Sequence, residues 1–146
     1  MQQTESVLFS YLQDHREDMI DDLMALVKAQ SPSTDKQSCD ACADVITSLF
    51  QKRLPVSVRR FHENSVGDQL LLQVGPESTE IKPILVLCHY DTVWNLDELP
   101  LRREEDRLYG PGVFDMKSGL VLTLWALHAL LETGHALPGP VWVFCN

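Results

Sequence analysis

Two short, unbroken apolar runs constrain what this chain can fold into. Ile84-Leu85-Val86-Leu87 and Val141-Trp142-Val143-Phe144-Cys145 contain no charged or amide side chain. A half-buried strand alternates apolar and polar residues, so unbroken runs predict strands covered on both faces. Between them lies Gly119–Thr133, a strongly apolar stretch of helical length that ends at Gly134. A strand, a helix and a second strand in that order predict an α/β layer arrangement.

The rest of the chain supplies the remaining layers. Over residues 5–29, Leu8, Leu12, Met19, Ile20, Leu23, Leu26 and Val27 recur at mostly helical spacing. This predicts one amphipathic helix, closed by Ser31-Pro32-Ser33. A second helix is expected from about Asp35 to Lys52. Pro55–His62 alternates Val56, Val58 and Phe61 with polar residues and reads as a strand, as does Gln69–Val74. The charged run Arg102–Arg107 reads as a solvated loop. The expected fold is a three-layer α/β sandwich, with a mixed, mostly parallel sheet and helices on both faces.

Charge narrows the partners. The 146 residues fit one domain, and the net charge of -9 opposes nucleic acid, because phosphate binding needs a basic face. The apolar run Leu120–Leu131 is too short to cross a bilayer, so no membrane partner is expected. The N-terminus lacks a basic segment followed by an apolar one, which predicts a cytoplasmic protein. Cys39, Cys42, Cys88 and Cys145 are then expected as free, packed thiols.

Two segments carry candidate chemistry. Cys88-His89-Tyr90-Asp91-Thr92-Val93 follows the first apolar strand. Open α/β sheets bind ligands outside the carboxyl ends of their strands. There His89 can offer an imidazole nitrogen to a metal, and Asp91 can accept the other ring N–H. A loop histidine capped by a nearby carboxylate fits the same residues. The second segment, Gly110-Pro111-Gly112-Val113-Phe114-Asp115-Met116-Lys117-Ser118-Gly119, sets Asp115 just before the apolar helix. The helix N-terminus would favour an ionised, metal-binding carboxylate there, and an ordinary N-cap aspartate fits equally well.

Together, Leu87–Val93 and Leu108–Gly119 resemble the two signature blocks of the dizinc glutamate carboxypeptidase, acetylornithine deacetylase and aminoacylase family. The likeness is strongest to the bacterial glutamate carboxypeptidase branch and includes Leu26-Val27 and Ser31-Pro32-Ser33. It implies that His89 binds one zinc and that Asp115 bridges two. It gives Asp91 a catalytic role, exerted by orienting His89. The implied cofactor is Zn2+, two ions per complete site, with Co2+ able to substitute. The implied reaction is hydrolysis of a C-terminal peptide bond or an N-acyl amino-acid amide bond. Small peptides or N-acyl amino acids are the implied substrates, and the complete protein could form a homodimer.

The chain also departs from the pattern. In the family a strand like Val141–Cys145 leads into a Glu-Glu pair, the general base and a zinc ligand. The later acidic ligand, the distal histidine and the smaller lid or dimerisation domain also have no counterpart in residues 1–146. The expectation is therefore the N-terminal part of a zinc-binding catalytic domain, inactive by itself. The alternative is a non-catalytic remnant that binds metal weakly or associates with a full-length partner. Cys88 stands where the family more often has Gly or Ser, and it is expected to pack as a small apolar group. Of the other candidates, Cys39-x-x-Cys42 reads as packed thiols, His128 as a core histidine, and Trp94 as packing beside the metal loop.

Overall fold

The computed structural model describes residues 2–76 and 80–146, with side chains from residue 6 onward. Three helices come first: α1 (Gln2–Asp14), α2 (Arg16–Lys28) and α3 (Lys36–Arg53). The single helix expected over 5–29 is thus two helices, broken at His15, whose φ of -104° and ψ of 18° leave the helical region. The His15 ring lies on Tyr11, with centroids 4.2 Å apart, and its Nδ1 takes the Tyr11 carbonyl at 2.8 Å. A side chain that bonds the preceding turn in this way competes with the helical ladder. The start of α3 falls where expected, since Asp35 accepts from the Ser38 backbone N–H at 3.1 Å as its N-cap.

The strands are β1 (Val56–Phe61), β2 (Gln69–Val74), β3 (Ile84–Cys88), β4 (Arg102–Glu104), β5 (Arg107–Tyr109) and β6 (Val141–Cys145), with α4 (Ser118–Glu132) before β6. Four of them form a sheet in the order β1-β2-β6-β3. The sheet is mixed, as expected, but it is not mostly parallel. The β1/β2 and β2/β6 pairs are antiparallel, and β3/β6 is parallel. The short connection after Phe61 makes β1 and β2 a hairpin, and the α4 crossover returns the chain parallel to β3. β6 enters between β2 and β3, a placement that apolar content alone does not encode.

One face of this sheet builds the core. Leu70, Leu72, Val74, Val141, Val143 and Cys145 pack with Ile46 and Phe50 of α3 and Leu124 and Trp125 of α4. The opposite face is different: Leu85 and Leu87 are 55% and 66% exposed, and their in-register neighbours Trp142 and Phe144 are half-buried. Within the described residues β3 is therefore an edge strand with one open face. Among the described residues the helices line one face, and the second helical layer of the expected sandwich is not among them.

One further expectation changes. Arg102–Arg107 is not a loop but the β4–β5 hairpin, in which Arg102 pairs with Tyr109 and its guanidinium lies 4.0 Å from that ring centroid. The apolar helix stands where expected, as α4, and the 20-residue span Val113–Glu132 that is long and apolar enough to cross a membrane includes Asp115 and Met116, which are not helical. Here Leu120, Leu124, Trp125 and Leu127 are buried in the core, and the Trp125 Nε1 donates to Asp22 at 2.9 Å.

Candidate metal centre

The end of β3 is held from three sides. The β3/β6 ladder continues past the strands, with Asn146 N–H donating to the Cys88 carbonyl and Tyr90 N–H to the Asn146 carbonyl. Ser31 Oγ donates to the Tyr90 carbonyl at 2.6 Å, Thr92 N–H to the Ser31 carbonyl at 2.8 Å, and Ser33 N–H to the Thr92 carbonyl at 2.9 Å. The Ser31-Pro32-Ser33 segment is thus a short extra strand against the metal loop, beyond its expected role as a helix terminator. On the third side the Tyr90 hydroxyl donates to the Asp68 carbonyl. Tyr90 is 1% exposed, so its neighbours His89 and Asp91 project from a fixed backbone.

Asp68 anchors that side electrostatically. Its carboxylate is buried and accepts from Lys36 Nζ at 2.8 Å, Arg60 Nε at 2.7 Å and the Glu63 N–H at 3.0 Å, and it meets His62 Nδ1 at 2.7 Å. Burial alone would raise its pKa. The lysine, the backbone N–H, the arginine and the histidine outweigh burial and hold it well below the usual carboxylate range. The hub ties the β1–β2 hairpin to α3 and, through Tyr90, to the end of β3.

Asp115 arrives on the second loop. Gly112 has φ of +73°, a left-handed value that favours glycine, and a Cβ there would meet Thr92 Cγ2 at 3.0 Å. The Lys117 N–H closes the turn onto the Gly112 carbonyl at 2.8 Å. Asp115 is extended (φ -120°, ψ 101°) and lies before the start of α4, which has no side-chain cap. The ordinary N-cap alternative is therefore ruled out.

The two loops meet at one imidazole. His89 Nε2 lies 3.1 Å from Asp115 Oδ1, and His89 Nδ1 lies 3.2 Å from Asp91 Oδ1 and 3.2 Å from the Asp91 carbonyl. Partial burial would lower the His89 pKa. The hydrogen bond to Asp115 and the carbonyl and charge of Asp91 overcome it, and the net shift is upward. Ser33 Oγ donates to the Asp91 carboxylate, a partner the sequence reading did not single out. These residues line a cavity of about 190 Å³, with Trp94 on its rim. Trp94 is 40% exposed, so it borders the site instead of packing away from it.

A metal fits this donor set only in part. Imidazole nitrogen and carboxylate oxygen are ordinary zinc donors, and the facing Nε2 and Oδ1 are the atoms an ion would share. Asp91 sits on the opposite ring nitrogen and does not converge with them. Accordingly, no group of three or more His, Cys, Asp or Glu side chains arranged for a metal is found among the described residues. The remaining candidates are packed: Cys39, Cys42, Cys88 and Cys145 are free and buried, and His128 Nε2 meets the Tyr11 hydroxyl at 3.3 Å.

Comparison with known proteins bears out the resemblance read from the two motifs. Residues 85–146, which hold both motifs, match the family described as Peptidase family M20/M25/M40. Carboxypeptidase G2 of Pseudomonas sp. (strain RS-16) is 29% identical over 99% of this chain and 35% of its own length. Succinyl-diaminopimelate desuccinylase of Corynebacterium glutamicum is 38% identical over 68% of this chain and 25% of its own. Human carnosine dipeptidase 1 superposes with a TM-score of 0.81 at 18% identity, over 98% of this chain and 34% of that one. The M20 family metallo-carboxypeptidase Sso-CP2 of Sulfolobus solfataricus gives 0.73 at 22% identity, over 88% and 30%. These superpositions establish the fold. The chain spans between a quarter and about a third of the length of these relatives.

Proposed function

We propose that residues 1–146 form the N-terminal part of a zinc-binding catalytic domain, within a hydrolase of small peptides or N-acyl amino acids. One observation carries the reading: His89 Nε2 faces Asp115 Oδ1, with Asp91 behind the same ring. His89 and Asp115 would hold zinc, and Asp91 would fix the His89 tautomer by accepting its Nδ1 proton. Bound zinc supplies Lewis acidity toward a substrate carbonyl. The substrate class is supported by relatives named as a carboxypeptidase, a desuccinylase and a dipeptidase.

A second reading is favoured by one observation: the described residues bring two ligands to one point, not three. Under it the chain binds metal weakly and catalyses nothing. Both readings are tested by titrating zinc into the chain and into His89→Ala and Asp115→Ala. Each substitution is expected to abolish the site-specific heat. Zinc binding unchanged in both variants would refute the assignment of the metal centre.

A further inference from the structure

One buried charge beside the metal loops has no role in the reading above. Lys117 is 1% exposed, and its Nζ donates to the carbonyls of Leu26 at 3.0 Å and Ala29 at 2.8 Å. These carbonyls lie at the C-terminus of α2. Helical carbonyls there lack intrahelical partners and carry the negative end of the helix dipole, so they are a natural seat for an ammonium. The Lys117 stem lies against the Gly112 turn: a Cβ on Gly112 would meet its Cγ at 3.1 Å and its Cδ at 3.2 Å. The Cys42 thiol of α3 also interacts with the ammonium.

The same stretch of chain therefore serves both loops. Residues 26–29 receive Lys117, two residues after Asp115. Residues 31–33 receive Thr92, three residues after His89, in a short parallel bridge. Asp115 and His89 share no strand pairing, so this stretch is a common reference for their separation.

We propose that Lys117 is a positioning residue for the metal centre: by clamping the Asp115 loop to the α2 terminus, it sets Asp115 against His89. The inference rests on the zinc-site reading above. Glycine turns explain how the loop bends but not where it stops, whereas a buried ammonium bonded to two carbonyls fixes a distance.

The test is zinc titration of the 15N-labelled chain, read from the His89 and Asp115 signals. Lys117→Met keeps the stem and removes the charge. Its zinc affinity is expected to fall at least about tenfold, the size seen when a metal ligand loses its outer support. Asp22→Asn is the control for a merely structural loss. Asp22 is a buried charge in α2 whose bonds go to Arg53 and the Trp125 indole and to neither loop, and its loss should lower the melting temperature with zinc affinity unchanged. A folded Lys117→Met chain that binds zinc within about twofold of wild type would overturn the proposal. Where Lys117→Met does not fold, the wild-type Lys117 Nζ resonance reads the same coupling: it should shift as zinc binds, and an unmoved signal sinks the idea. Wild-type chain that binds no zinc at all refutes the metal-site reading and the inference built on it, an outcome distinct from an indifferent Lys117 variant.

Discussion

His89 places one ring nitrogen 3.1 Å from the Asp115 carboxylate and the other 3.2 Å from that of Asp91. One imidazole thus joins two loops that are 26 residues apart in sequence. Two carboxylates on one ring favour the protonated form, whereas zinc needs the neutral one. Proton and metal therefore compete for His89.

That competition fixes a pH dependence. The folded His89 pKa is raised, so its ion pairs add stability that is fully present below the unfolded value of about 6.5. The contribution is lost as pH rises through the folded value. Zinc affinity should run the other way, rising with pH through about 6.5 and on to the raised value. Zinc titrations between about pH 5.5 and 8.5 check this. A pH-independent affinity over that range would remove His89 from the site.

Asp91→Asn keeps the shape of the side chain and removes its charge. The variant is expected to bind zinc about 10–100-fold more weakly, the usual effect of losing a carboxylate behind a ligand histidine. Ser33→Ala removes only the hydroxyl that donates to Asp91, so its effect should be smaller in the same direction. Calorimetry on the two variants orders the effects. Equal, undiminished affinities would show that Asp91 does not orient His89.

The chemistry of the site was more legible in the sequence than the packing of the sheet. His89, Asp91 and Asp115 stand in two local motifs, and local motifs survive without knowledge of topology. The meeting of the motifs at one ring depends on the loops after β3 and before α4, and the apolar pattern placed both elements but not the β4–β5 hairpin between them. The strand directions were not legible: an apolar run is equally compatible with a parallel or an antiparallel neighbour, and β6 pairs with one of each. Apolarity likewise does not say which face is packed within residues 1–146, where Leu85 and Leu87 lie on the open one. Ser33 and Lys117 escaped because serine and lysine mark surfaces far more often than buried contacts, and only their long-range partners reveal them.

Asp68 gives a prediction about stability away from the metal. Its pKa is depressed in the folded state, so its contribution is present above the unfolded value of about 3.9 and is lost as pH falls through the folded one. Asp68→Asn leaves Lys36 and Arg60 without their shared, buried partner. Lys36 keeps Asp40, Arg60 keeps Asp40 and Asp44, and both cations are partly exposed, so the cost is that of losing hydrogen bonds to a buried charge, roughly 1.5–3 kcal/mol. Urea denaturation at neutral pH should show a loss of that order, and the difference from wild type should shrink in acid. A loss under about 1 kcal/mol would mean that solvent screens the cluster as it screens surface pairs.

The polypeptide of residues 1–146 should hydrolyse neither a C-terminal glutamate peptide nor an N-acyl amino acid, even with zinc added. The argument is a count of ligands. Catalytic zinc takes three protein ligands and one open position. The described residues bring His89 and Asp115 to one point, and Asp91 is turned to the far side of the ring. An ion held by two groups has no defined geometry, so its Lewis acidity is not aimed at a substrate carbonyl. Among the described residues no carboxylate is left over in the cavity to act as general base, since Asp91 is occupied by His89 and Ser33. Loss of such a base alone typically costs about 10²–10⁴-fold. The assay compares purified chain, chain with zinc, and a His89→Ala chain carried through the same purification. Equal background in all three is the expected result. Zinc-dependent turnover that is present in wild type and absent from His89→Ala would show that two ligands suffice, and that the general base lies among residues assigned no such role here.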